Sequence, residues 1–494
     1  MAAAGDQASR ATNSCAWTPT LTNKLKRSPP DLGVPVDRSW RLEFADTMRL
    51  AWPMSLTQLG QIAMFTTDLA MLGRLGPEAV AAASLAHTVL FSAFVIGLGL
   101  VSAVAPLAAQ AYGARQPRIM RRAVRVGIWA AVGVGLPLTL TQGWSRDVLL
   151  ALGQGEATAA LAARYLQGLS WCLVPAWIFM VLRGFMGAVN RPAPALWITL
   201  AAIPLNGVLA FALINGAFGL PRLDVLGAGV ATTIVNVAMC AAAIAVCYSQ
   251  APFKKYRVLG RLWRPDWPLM RQLLVIGLPM SGSFMLEFGL FAAAALMMGR
   301  IGTVELAAHQ VALQVASIIF MVPFGISMAA TVRVGHAVGA RDAFGARRAG
   351  LAALALGAAF MAVMVVAIIL LRWQIPQLFF SANSAASQAT MQLASALLLV
   401  GASFFIADGL QTIAAGALRG LNDTRVPLLF AVLSFWGLGF PCAWELGLGR
   451  NLGAVGVWVG LSLGLTLYAL LLVTRFHRLT HRHCIPVLVD DGIA

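Results

Sequence analysis

Charge is scarce in this 494-residue chain: Asp, Glu, Lys and Arg together make up 11% of it, against about a quarter in a soluble domain. Lysine occurs only at positions 24, 26, 254 and 255. With 59% hydrophobic residues and a mean hydropathy of +0.78, the deficit excludes a water-soluble globule. No Gly-x-x-x-x-Gly-Lys-Ser/Thr loop is present, which argues against direct use of ATP. The chain has no Gly-x-Ser-x-Gly elbow, no Ser/Lys dyad in a strand context and no His/Glu metal pattern, so neither an enzyme nor a cofactor is expected. Period-two alternation of apolar and polar residues is missing, which disfavours an outer-membrane barrel. A channel would show a filter-like loop or rings of like charge, and neither is seen. The six cysteines (Cys15, Cys172, Cys240, Cys247, Cys442, Cys484) form no Cys-x-x-Cys pair and are expected to be packed free thiols. The net charge of +17 lies in short loops between apolar runs and not in a compact basic domain, so nucleic acid is not an expected partner.

What the chain does contain is a six-helix half written twice, 226 residues apart. Trp52-Pro53-Met54-Ser55 returns as Leu278-Pro279-Met280-Ser281, and Met71-Leu72-Gly73-Arg74-Leu75-Gly76 as Met297-Met298-Gly299-Arg300-Ile301-Gly302. Gly113-Ala114-Arg115 returns as Gly339-Ala340-Arg341, Arg121-Arg122-Ala123 as Arg347-Arg348-Ala349, and Leu226-Gly227 as Leu452-Gly453. A shared offset at five separate places marks an internal duplication, and a duplicated apolar bundle can enclose a cavity between its halves.

The apolar runs predict an all-α polytopic membrane protein of twelve transmembrane helices in two pseudo-symmetric six-helix bundles. Spans are expected near 48–74, 79–110, 121–143, 158–182, 194–216, 227–248, 268–299, 305–336, 347–371, 390–418, 427–446 and 453–474, close to or above the roughly 20 residues that cross a bilayer. Residues 1–44 are expected to be a cytosolic, disordered tail; they lack the apolar core of a secretory signal. Residues 45–248 form the N-terminal lobe, 249–266 a cytosolic linker, 267–475 the C-terminal lobe and 476–494 a cytosolic tail. Of the 36 Lys and Arg, 29 fall on the side of the termini; only Arg74, Arg146, Arg164, Arg222, Arg300, Arg372 and Arg450 fall on the other. The positive-inside rule then puts both termini in the cytosol. Six helices per half is an even number, so the halves face the same way about an axis along the membrane normal. Ala- and Arg-rich usage points to a GC-rich bacterium, and so to the inner membrane.

An ionised side chain at bilayer depth costs about 2.5–3.5 kcal/mol on insertion scales. Three carboxylates are nevertheless expected inside spans: Asp68 in the first, Glu287 in the seventh and Asp408 in the tenth. Gln58, Gln61 and Phe65 share the face of Asp68; Met280, Ser283 and Phe284 share that of Glu287; Phe404, Phe405, Gln411 and Thr412 share that of Asp408. The acids break the repeat, since Gln61 stands where the other half has Glu287 and Ala294 where it has Asp68. A carboxylate in a low-dielectric wall can take up a proton or offer oxygen to Na⁺, and either event removes a buried charge and biases one conformation over another. Asn206, two residues after Pro204, either ligates a cation or bonds backbone that the proline frees. Ordinary packing is expected for His87 and His309. Arg183 and Arg419, at corresponding inner helix ends, are expected to anchor the cytosolic boundary. Pro53 and Pro279 each mark a hinge or a static kink.

These residues resemble the multidrug and toxic compound extrusion (MATE) family, in its bacterial NorM-like branch, over roughly 45–475. The stretches that carry the resemblance are Thr67-Asp68-Leu69-Ala70-Met71-Leu72-Gly73, Pro204-Leu205-Asn206, Leu278-Pro279-Met280-Ser281 with Glu287, the Ala-Ala-His-Gln of 307–310, and above all the run from Asp408 through Thr412 to Arg419-Gly420. The resemblance implies a monomeric exporter whose two lobes flank a V-shaped cavity, exchanging Na⁺ or H⁺ for organic, often cationic and aromatic compounds by alternating access. It implies cation binding and coupling at Asp68, Asn206, Glu287 and Asp408, with Na⁺ at the last two if Na⁺ is the coupling ion. Some Na⁺-coupled relatives carry Tyr one turn before the acid of the tenth span, where this chain has Phe404. Walls of Gln61, Met64, Phe65, Phe284, Met285, Phe288, Phe404, Phe405 and Gln411 would suit flat cationic drugs. The alternative is a flippase for a lipid-linked precursor, which would need a strongly cationic cavity.

Overall fold

The computed structural model describes residues 39–481, apart from 152, 220, 261, 265 and 380–384. Most of the two expected tails, with Cys15 and Cys484, lies outside the described residues. Apolar stretches buried in lipid must satisfy their own backbone, and helices do so within one segment. Twelve long helices result: α1 (Trp40–Gly73), α2 (Glu78–Gly113), α3 (Pro117–Ala151), α4 (Glu156–Ala188), α5 (Ala193–Asn215), α6 (Asp224–Ser249), α7 (Trp267–Ile301), α8 (Thr303–Gly339), α9 (Ala343–Leu371), α10 (Ala385–Gly420), α11 (Arg425–Gly449) and α12 (Gly453–His481). All but α1 are long and apolar enough to cross a bilayer. In α1, Gln58, Gln61 and Asp68 lower the hydropathy, but its 34 residues reach about 50 Å at 1.5 Å each. Two expected limits shift. Helix α1 begins at Trp40, inside the expected tail, and α12 runs to His481, beyond the expected end at 475. Pro53 and Pro279 both lie inside continuous helices.

The duplication is visible in the backbone. Arg115 and Arg341 take the left-handed conformation at φ 56° and 59°, and the residue after each donates its N–H five positions back, Gln116 to Ala111 and Asp342 to Ala337, both at 2.8 Å. Asn190 and Asn422 repeat this turn at φ 59° and 58°. There the offset is 232 residues, which places Ala415 opposite Arg183. The two arginines are therefore not counterparts.

The lobes meet along a seam of α1 and α2 against α8 and α7. Ser55 Oγ donates to the carbonyl of Val322 at 3.1 Å, and Ser281 Oγ to that of Ile96 at 2.7 Å. Each bond is the other's image under the 226-residue repeat. A Cβ on Gly99 would collide with the Met280–Ser281 backbone, and one on Gly325 with the backbone of Ser55. Glycine is what lets the helices approach so closely here.

The seam is shut on the face that carries the 249–266 linker. Gln110 Nε2 donates to Gly420 O at 2.9 Å, and His336 Nε2 lies 2.7 Å from Ala188 O. Asn422 Nδ2 donates to Gln110 Oε1 at 2.7 Å. Two further ties flank these. Arg122 pairs with Asp266 at 2.5 Å, and at the equivalent place Arg348 lies 5.0 Å over the ring of Trp40. Arg333 also bonds Glu43 and Thr47 across the seam.

Candidate functional site

The expected acids gather into two polar clusters, one inside each lobe. In the N-terminal lobe α1 brings Asp68, α5 brings Asn206 and α6 brings Thr232. Asn206 Nδ2 donates to Asp68 Oδ1 at 2.5 Å, and Thr232 Oγ donates to Asp68 Oδ2 at 2.8 Å. All three are buried, and Asn206 Oδ1 has no hydrogen-bond partner. A carboxylate, an amide oxygen and a hydroxyl together offer oxygen donors suited to a hard cation or a proton. Asn206 bonds the Asp68 side chain, a partner that neither of the two readings of Asn206 named. Thr232 was not singled out from the sequence; on a helix dense in small and hydroxylated residues, nothing local distinguishes it from a helix-packing threonine.

In the C-terminal lobe α7 brings Glu287, and α10 brings Asp408 with Gln411. The single Gln411 amide nitrogen donates to Glu287 Oε1 at 2.9 Å and to Asp408 Oδ1 at 3.1 Å. Asp408 and Gln411 share a face because they are three apart on a helix. One NH₂ group thus holds two carboxylates together, so Gln411 belongs to the acid pair more than to a cavity wall. Arg419 stands 4.7 Å over the Phe284 ring.

The expected aromatic walls divide. Phe404 and Phe405 are each 1% exposed and pack with Phe291 and Trp458 in the interior of the lobe. They are core residues in this conformation, because α12 covers the α10 face that carries them. Met64 is likewise buried. Phe284, Phe288, Phe65 and Gln61 are half-buried, and Met285 is exposed. Rings form a train across the seam: Phe65 lies 4.1 Å from His87, His87 5.8 Å from Phe91, and Phe91 5.5 Å from Phe288 of the other lobe. It runs from the helix of Asp68 to the residue beside Glu287.

His309 accepts from Trp458 Nε1 at 3.0 Å and is core, and Cys172, Cys240, Cys247 and Cys442 are free thiols. Among the described residues no group of His, Cys, Asp and Glu is arranged to hold a metal ion. Arg183 and Arg419 depart from the boundary role expected of them. Both line a cavity between the lobes, and Arg183 is only 2% exposed. Interior polar groups close to a helix end cannot be told from boundary anchors by position alone. None of Asp68, Asn206, Glu287 and Asp408 is among the residues lining that cavity.

The MatE family model matches residues 53–212 and again 279–444, once in each lobe. The chain is 64% identical over 442 residues to a "Probable multidrug resistance protein NorM" of Rhodopseudomonas palustris, covering 90% of this chain and 93% of that protein. It is 57% identical over 455 residues to a protein of the same description from Bradyrhizobium diazoefficiens, covering 92% and 97%. Among solved structures it is similar to the eukaryotic MATE transporter AtDTX14, at TM-score 0.81 and 21% identity, covering 90% of this chain and 98% of that one.

Proposed function

We infer that this chain, a member of the MatE family and a multi-pass membrane protein, is a secondary active multidrug exporter that exchanges Na⁺ or H⁺ for organic, often cationic compounds. Asp68 with Asn206, and Glu287 with Asp408, are its cation-binding and coupling residues. It works as a monomer in the bacterial inner membrane with both termini in the cytosol. Support for the orientation comes from the sequence, in which 29 of the 36 Lys and Arg fall in the segments expected on the side of the termini. The relatives described as multidrug resistance proteins support the substrate class.

The observation that carries the reading is the shared donor: one Gln411 amide serves both Glu287 and Asp408. A proton or Na⁺ arriving at either acid removes the charge that strengthens its bond to that amide. Loading one carboxylate therefore weakens one arm of the tie between α7 and α10. Helix α7 also carries Ser281, which bonds across the seam to Ile96, so a change at Glu287 lies on a helix that joins the lobes. A cationic drug and a coupling ion that seek the same carboxylate oxygens exclude each other, and that competition makes the exchange obligatory.

The driving force is adequate. One charge moving down ~100 mV releases about 2.3 kcal/mol, roughly fifty-fold accumulation of a neutral solute. One-for-one exchange against a monovalent cation cancels that electrical contribution, leaving the chemical gradient of the ion to do the work. Uptake of ethidium into everted vesicles, whose outer face is the cytosolic one, under Na⁺ and pH gradients imposed separately tests the reading. Uptake under one gradient and its collapse with the matching ionophore are expected; uptake that needs neither gradient contradicts it.

A further inference from the structure

The cavity between the lobes differs in character from both acid clusters. It lies toward the linker face, since Arg183 is one turn from the end of α4 and Arg419 is beside the end of α10. Its walls include Met54, Met180, Met280 and Met328, its two charged side chains are Arg183 and Arg419, and no carboxylate lines it.

Among the described residues Arg183 has no carboxylate partner. Its Nη1 donates to Gln58 Oε1, while Nε and Nη2 are buried without a hydrogen-bond partner. A guanidinium left unpaired in the interior is penalised by several kcal/mol, so such a group is kept where something fills it. The two free donors are the pair along one edge of the planar fork, the edge that grips a carboxylate with two parallel hydrogen bonds. Arg419 rests over the Phe284 ring at 4.7 Å, which leaves the fork to Arg183. Two parallel donors match the two oxygens of one carboxylate and not the spread-out oxygens of a pyrophosphate.

We propose that this cavity is an anion site that takes one monovalent group, a carboxylate on an apolar body, with Arg183 as its fork and the methionines as its adaptable walls. The site goes beyond the efflux reading and does not rest on it. A drug bearing a carboxylate and a free small anion offer the same chemistry, and competition separates the two sources.

The test is equilibrium binding of radiolabelled benzoate to the full-length protein in detergent, with no ion gradient, so that its outcome is independent of transport. Saturable binding is expected. Benzamide, the neutral isostere, should not displace it. Arg183→Gln should weaken it by about tenfold or more, and Arg183→Lys, which keeps the charge without the fork, should weaken it less. Arg183→Lys also carries the test if Arg183→Gln does not fold. Displacement by acetate but not by chloride assigns the site to carboxylates, and equal displacement by chloride assigns it to a free inorganic anion. The proposal is overturned by absent saturable binding, by displacement with benzamide, by pyrophosphate displacing better than any monoanion, or by undiminished binding in both Arg183 variants.

Discussion

Gln110 and His336 occupy equivalent places, 226 residues apart, and each reaches across the seam to a backbone carbonyl of the other lobe, Gly420 and Ala188. The ties that close the linker face thus include a matched pair of bonds and not one latch. Each is worth about 0.5–1.5 kcal/mol as a net hydrogen bond, so each alone should shift the open-to-closed ratio by about two- to twelve-fold. Gln110→Ala and His336→Ala should both speed thiol labelling of a cysteine placed at Ala105, which lines the inter-lobe cavity. The double variant should combine the two effects. Labelling that changes in one variant alone would show that a single bond holds the face shut.

The seam glycines make a second paired prediction. A Cβ at Gly99 or Gly325 meets backbone of the opposite helix, which cannot swing aside as a side chain does. Gly99→Ala and Gly325→Ala should each destabilise the joined lobes by about 1–3 kcal/mol, the range for overpacking. Thermal unfolding in detergent should record similar drops for the two. A Gly133→Ala control inside α3, where nothing lies within 4 Å, should not lower the midpoint, because alanine favours a helix interior over glycine.

In the N-terminal lobe, Asp68 depends on Asn206 and Thr232 for both of its oxygens. Removing a partner of a buried polar group costs about 1–3 kcal/mol. Asn206→Ala and Thr232→Ala should therefore lower the unfolding midpoint of the wild type, and lower it much less in an Asp68→Asn background. Additive losses in a double-mutant cycle would mean that the three side chains do not act as one cluster.

Asp266 sets a pH dependence outside the membrane. The Arg122 guanidinium beside it holds its carboxyl below the ordinary value of 3.8. A depressed carboxylate adds stability that is complete above its unfolded value and is lost as pH falls through the folded one. Acidification from about pH 6 to about pH 3 should lower the unfolding midpoint more in the wild type than in Asp266→Asn. With the Arg122 side chain 25% exposed, screening by water limits the gap to the order of 1 kcal/mol. Identical pH profiles would show that the pair contributes nothing.

Much of this architecture is legible in the sequence. Apolar runs end at Gly, Asn and Pro turns, and Arg115, Asn190, Arg341 and Asn422 sit in the left-handed turns that join the helices. The acids stand out because apolar surroundings make them expensive, and Asp408 with Gln411 is readable from helical spacing alone. What is not legible depends on which helices become neighbours. Thr232 meets Asp68 only because α6 lies beside α1, Phe404 is buried only because α12 covers it, and Arg183 turns inward only because the second lobe roofs it. Gln110 and His336 are chemically unlike, so the repeat hides their equivalence until both are seen bonding carbonyls across the seam. The helix ends at Trp40 and His481 were missed because their outer turns are polar and resemble tail.

The most direct test of the central claim uses purified protein in proteoliposomes with an imposed ion gradient. Glu287→Gln and Asp408→Asn keep the shape of each side chain and remove its charge. Gradient-driven ethidium transport should fall to the level of empty vesicles in both, while the proteins remain folded and binding of benzoate is retained. Transport at the wild-type rate in both variants would show that the paired acids beneath Gln411 do not carry the exchange.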